Sequence, residues 1–164
     1  MVEATRLDMN KMSPEAYRHL LQLEGLISQK IEPTLYHLIK LRASQINGCA
    51  YCIAMHTDEA LRSGERPERL TLLDAWEESP LYTDKERVVL AWVEELTLIA
   101  DSGASSESYE ALKAHFSAEE IGWLILAVVQ INSWNRIAIS TRAQYDRAMF
   151  AGGTTHEAKT PEPA

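Results

Sequence analysis

Ser117-Ala118-Glu119-Glu120 is a capping box, in which a serine hydroxyl can accept from the backbone three residues on while a glutamate reaches back to the serine's own N–H. Directly behind it lies the strongest apolar run of the chain, Ile121 to Ile131. That run is too short to span a bilayer and continues into Asn132, Asn135 and Arg136, so it reads as a core helix. The spacing predicts the longest helix of the protein, over roughly 118 to 146. Its first half is apolar nearly all round, as a central helix enclosed by others would be.

The rest of the chain repeats helical spacing, and strand signals are absent, so the expected fold is all-α. Ser13-Pro14-Glu15 opens a helix to about residue 28, and Pro33 opens a second that runs to an Asn47-Gly48 stop. Ala50 to Leu61 forms the next, ending before Gly64, and Pro67 starts a short one through Leu70, Leu73 and Trp76. Thr83-Asp84-Lys85-Glu86 is another capping box, and its helix is expected to end near Asp101-Ser102-Gly103. Ser105 or Ser106 caps a short helix carrying Tyr109, Leu112 and Phe116. The expected organisation is an arm over 1–12, a helical domain of about six to seven helices over 13–148, and a disordered tail over 149–164 whose composition is Gly-, Thr-, Glu- and Pro-rich.

At 164 residues the chain can bury roughly two-thirds of its unfolded surface without disulfide staples, which leaves its two cysteines available for chemistry. A net charge of −8 with scattered Lys and Arg argues against a nucleic-acid partner and offers no attraction to anionic membranes. No charged-then-apolar leader precedes Met9, so a cytoplasmic location is the expectation.

Both cysteines fall in one stretch, Gly48-Cys49-Ala50-Tyr51-Cys52, with His56 four residues further on. Cys49 lies at or just inside a helix N-terminus, where unpaired N–H groups and the macrodipole favour an anion, so a thiol there ionises more easily than a free one near about 8.5. On a helix, positions 49, 52 and 56 share a face, which is what a dithiol/disulfide centre with its own base needs. Two other readings compete: half of a zinc site, for which no second Cys-x-x-Cys or His-x-x-x-His supplies the remaining ligands, and two small core residues that happen to be cysteine. Trp92, Trp123 and Trp134 read as core or interface aromatics, and Glu77-Glu78 and Glu94-Glu95 as solvated helix faces.

Leu41-Arg42-Ala43-Ser44-Gln45-Ile46-Asn47-Gly48-Cys49-Ala50-Tyr51-Cys52 with His56 resembles the AhpD-like alkylhydroperoxidases of the carboxymuconolactone decarboxylase superfamily. Glu68-Arg69-Leu70, Trp76, Pro80-Leu81, Glu86-Arg87 and Asn132-Ser133-Trp134-Asn135-Arg136 extend the likeness over about residues 14 to 146. The resemblance implies an oligomeric helical domain, often a trimer or hexamer. It implies a cofactor-free thiol peroxidase, with Cys52 attacking the peroxide, Cys49 resolving and His56 in a proton relay. Where many members carry a glutamate about twelve residues before the first cysteine this chain has His37, which by its titration range could serve as the relay group.

The expected partners are a hydroperoxide substrate and a dithiol protein or small-thiol reductant, since no nucleotide-binding glycine motif supplies electrons. A redox-sensing disulfide module without fast turnover is the alternative, and a carboxymuconolactone decarboxylase-like enzyme is a third, disfavoured by the cysteine pair.

Overall fold

The computed structural model describes residues 4–145, and among them there is no strand. Nine α-helices follow in order: α1 (Met9–Met12), α2 (Pro14–Ser28), α3 (Pro33–Ile46), α4 (Ala50–Arg62), α5 (Pro67–Thr71), α6 (Asp84–Thr97), α7 (Ile99–Ser102), α8 (Ser106–Lys113) and α9 (Ala118–Thr141). A 3₁₀ turn, Leu73–Ala75, follows α5. Six helices have eight residues or more, and α1, α5 and α7 are single turns that account for the excess over the six or seven expected. The expected tail over 149–164 lies outside the described residues.

The local signals act as anticipated at most helix starts. Pro14, Pro33 and Pro67 each stand at the first helical position, where the missing N–H costs nothing. Thr83 with Glu86, and Ser117 with Glu120, form complete capping boxes. Two boundaries differ from expectation. The helix expected to reach Gly103 breaks at Leu98 into α6 and α7 before Gly103 turns the chain at φ 66°. The last helix ends at Thr141 rather than 146, because Arg142 adopts the left-handed region at φ 56° and its N–H returns to Ala138 and Ile139.

The hub of the fold is α3 rather than α9. Leu35, Ile39 and Ala43 of α3 join Val89, Val93, Leu112, Leu124, Val128 and Ile131 in the main core, while Leu38 and Leu41 pack with Leu70, Leu73, Trp76 and Leu90 in a second cluster. The apolar run of α9 is buried on one side only. Leu126 and Val129 remain 38 % and 53 % exposed, so the expectation of a fully enclosed central helix does not hold for the single chain.

Nor are Glu94 and Glu95 solvated faces. Glu94 accepts from Arg42 at 2.8 Å and from the Trp76 indole at 2.6 Å, while Glu95 accepts from the Ser105 backbone at 2.7 Å and from the hydroxyls of Ser105 and Ser108.

Candidate active site

The junction between α3 and α4 is built from three residues. Asn47 closes α3, Gly48 takes φ 65°, and Cys49 is extended and caps α4. The Gly48 N–H bonds the Gln45 carbonyl at 3.1 Å and the Cys49 N–H bonds the Ser44 carbonyl at 3.0 Å, the two bonds of a Schellman ending. A residue with a Cβ would be strained at Gly48, so the Asn-Gly step fixes where the first sulfur emerges.

Helix α9 clasps this corner. The Asn47 amide nitrogen lies 3.0 Å from Asn132 Oδ1 and 2.9 Å from Asn135 Oδ1, and the Asn135 amide donates to Ser44 Oγ at 3.0 Å. The polar residues that follow the apolar run of α9 thus hold the turn that presents the cysteines.

Cys49 and Cys52 are joined by a disulfide, with their Cα atoms 5.3 Å apart. The Cys52 backbone N–H donates to Cys49 Sγ at 3.3 Å, the cap interaction that also favours negative charge on that sulfur. Cys52 and His56, one turn apart on α4, both line a cavity of about 580 Å³. Tyr17, Leu21, Trp134 and Ile137 form its apolar side. The N-terminal stretch expected to be an arm closes another side through Leu7 and Asp8, anchored by the Arg6 N–H to the Thr141 carbonyl at 2.8 Å. Trp134 packs against the main core as expected, and it also lines this cavity and donates its indole N–H to Glu24 at 3.1 Å.

Two residues that sequence reasoning missed complete the site. Glu59 Oε2 lies 2.9 Å from His56 Nδ1 and 2.8 Å from Lys40 Nζ, and both partners line the cavity with it. Burial alone would raise the Glu59 carboxyl, but hydrogen bonds and charge from His56 and Lys40 outweigh it and hold the pKa at about 2. An ionised carboxylate only accepts, so a neutral His56 must carry its proton on Nδ1, which leaves Nε2 with a lone pair. Nε2 is buried and has no protein hydrogen-bond partner.

The spacing His56-x-x-Glu59 on one helix was a readable signal; the Lys40 contact, nineteen positions away, was not.

His37 is placed differently. Its Nε2 lies 3.1 Å from Ser63 Oγ, and it is not among the residues lining the cavity. Burial, then the charge of Lys40, lowers its pKa. The structure therefore places Cys52 and His56 on one cavity, with Cys49 bonded to Cys52 and Glu59 in contact with the imidazole, while His37 bonds Ser63 and does not line that cavity. Among the described residues no group of three or more His, Cys, Asp or Glu is placed to hold a metal ion, and no helix is long and apolar enough to cross a membrane.

Comparison with known proteins gives the same picture. An uncharacterised Bacillus subtilis protein, YdfG, is 38 % identical over 136 residues, covering 82 % of this chain and 92 % of that protein. The crystal structure of an Agrobacterium tumefaciens protein of unknown function, described as a candidate antioxidant-defence AhpD, superposes with a TM-score of 0.84 at 45 % identity, covering 87 % of this chain and 99 % of that one. The debrominase Bmp8 shares the fold at a TM-score of 0.74 and 19 % identity, over 86 % and 76 % of the two chains. The Carboxymuconolactone decarboxylase family profile matches residues 14–95. With that match across half its length, a relative 38 % identical over most of both chains, and the cysteine-bearing corner between α3 and α4, the chain belongs to the AhpD-like branch of the carboxymuconolactone decarboxylase family.

Proposed function

We propose that the protein is a thiol-dependent alkyl hydroperoxide reductase, and that Cys52, Cys49, His56 and Glu59 carry the reaction. The observation that carries this reading is that His56, whose Nε2 has no protein partner, lines the same cavity as Cys52. In the reduced protein, Nε2 takes the Cys52 proton, Glu59 stabilises the imidazolium, and Lys40 keeps Glu59 ionised.

The Cys52 thiolate attacks the terminal peroxide oxygen. The O–O bond breaks, an alkoxide leaves and takes the proton from imidazolium, and Cys52 becomes sulfenic acid. Cys49 displaces hydroxide from that sulfur, which leaves as water with the Cys49 proton and closes the disulfide seen here. One hydroperoxide and two thiols give one alcohol, one water and one disulfide. A dithiol then restores the pair by exchange.

The expected oligomer is supported by Leu126 and Val129, left exposed on α9. His37 has no part in this proposal.

The test mixes reduced protein with stoichiometric cumene hydroperoxide and counts free thiols in wild type, Cys49→Ser and Cys52→Ser. Two thiols lost in wild type, with a trapped sulfenic acid only in Cys49→Ser, support the reading. Retention of both thiols in wild type overturns it. Stoichiometric oxidation that no dithiol can recycle favours the sensor role over turnover.

A further inference from the structure

Three long helices wall the cavity beside Cys52. Helix α4 supplies Cys52 and His56, α9 supplies Trp134, and α2 supplies Tyr17, Leu21 and Glu24, whose spacing puts them on one face of that helix. The Tyr17 ring meets the Trp134 ring edge-on, with the centroids 5.2 Å apart. One turn further along α9, Ala138 packs in the cluster that contains both cysteines. Tyr17 and the sulfurs therefore rest on successive turns of the same helix.

The polar groups on these walls are mostly committed. Lys40 donates to Glu59, the Trp134 indole donates to Glu24, and Glu24 accepts also from the Tyr36 hydroxyl. The Tyr17 hydroxyl has no hydrogen-bond partner among the described residues. Of the three side chains that α2 brings to the cavity it is the one with a proton to give, since Leu21 is apolar and Glu24 accepts both of its bonds. Burial, then the nearby Tyr51 and Asp8, raises its pKa above the ordinary phenol value, so Tyr17 keeps its proton at neutral pH.

Displacement at a peroxide oxygen runs in line with the O–O bond. The oxygen that leaves is driven away from the Cys52 sulfur, and a group that steadies it must come from a wall other than that of Cys52. Tyr51 is another phenol on this cavity, but it adjoins Cys52 on α4 and packs against the cysteine cluster itself. Tyr17 comes from α2.

We infer that Tyr17 is a further catalytic residue of the hydroperoxide step, whose hydroxyl donates a hydrogen bond to the alkyl-bearing oxygen as the O–O bond breaks. This role rests on the peroxidase reading above. The Cys52 sulfur bonds the terminal oxygen, the O–O electron pair goes to the alkyl-bearing oxygen, and the imidazolium still supplies the proton that makes the alcohol. The phenol ends the step as it began. Its effect falls on the charge that builds on the departing oxygen, where a fixed donor acts most strongly.

Such a donor matters in proportion to the basicity of the leaving group, which gives a readout that a packing role would not move. Reduced wild type, Tyr17→Phe and Tyr51→Phe are each mixed with tert-butyl hydroperoxide, with peracetic acid and with iodoacetamide, and loss of the Cys52 thiol is followed by quenching and peptide mapping. An alkoxide leaves in the first reaction, a carboxylate in the second and iodide in the third. Tyr17→Phe keeps the ring against Trp134 and loses only the hydroxyl. It is expected to slow the first reaction by about tenfold or more and to leave the second and third within about twofold of wild type. Equal slowing of all three, or no slowing of the first, overturns the assignment. So does a loss confined to the alkoxide reaction in Tyr51→Phe instead of Tyr17→Phe. Wild type that is alkylated by iodoacetamide but consumes neither peroxide refutes the peroxidase reading, and the role of Tyr17 falls with it.

Discussion

Two clusters of charge, one around Arg69 of α5 and one around His56 of α4, differ in what they face. Around Arg69, the guanidinium donates to Glu65 at 3.0 Å, to Glu86 at 2.5 Å and to the Leu81 carbonyl, while the Tyr82 hydroxyl bonds the Arg69 carbonyl. Around His56, Glu59 bridges the imidazole and Lys40. Each cluster contains one buried polar atom without a protein partner, Glu65 Oε2 in the first and His56 Nε2 in the second. The cavity does not reach Glu65, whereas His56 lines it beside Cys52. Both clusters tie neighbouring helices together, but only the second places its unpartnered residue on a cavity beside a cysteine.

The contrast can be broken most directly at His56. His56→Gln keeps an amide where the ring stood but removes the base, and oxidation by hydroperoxide at neutral pH is expected to slow by about 10²- to 10⁴-fold, read by stopped-flow thiol loss. A loss under tenfold would put His56 on a level with the structural cluster. Glu59→Gln is the next step down, about 10- to 100-fold, since the amide oxygen can still accept from Nδ1–H but the negative charge that stabilises the imidazolium is gone.

The same variant carries a stability signature. The Glu59 pKa is lowered from 4.5 to about 2 in the folded chain, so its stabilising contribution is complete above pH 4.5 and disappears as pH falls towards 2. Acid titration of wild type is therefore expected to be steeper than that of Glu59→Gln in that window, by circular dichroism.

Arg69→Met sharpens the comparison from the other side. It strands Glu86 and Glu65 without their cation, with an expected loss of about 3–5 kcal/mol in urea unfolding. The rate per folded molecule should stay within about twofold, since no group that touches substrate is changed. The smallest effect is assigned to His37→Asn, within about twofold of wild type at every pH from 6 to 8, because the ring bonds Ser63 away from the cavity. A tenfold loss there would return His37 to the relay.

Helix starts were readable because their causes are local. Pro14, Pro33 and the Thr83 and Ser117 boxes each act within four residues. The end of α9 was not readable, since it falls on Arg142 with no glycine to mark it. At the site, Cys49, Cys52 and His56 were legible as a helical face. The His56-x-x-Glu59 spacing was also readable on one helix, whereas the meeting of Glu59 with Lys40 was not, because it depends on how α3 lies on α4. Periodicity says which residues share a face, not which neighbour that face meets.

The bridge from Lys40 through Glu59 to His56 sums to zero when the ring is neutral. Moving the Cys52 proton onto that ring creates an imidazolium and a thiolate side by side, and the total inside the cavity is still unchanged. No counterion has to follow, so arming this sulfur should be nearly indifferent to added salt.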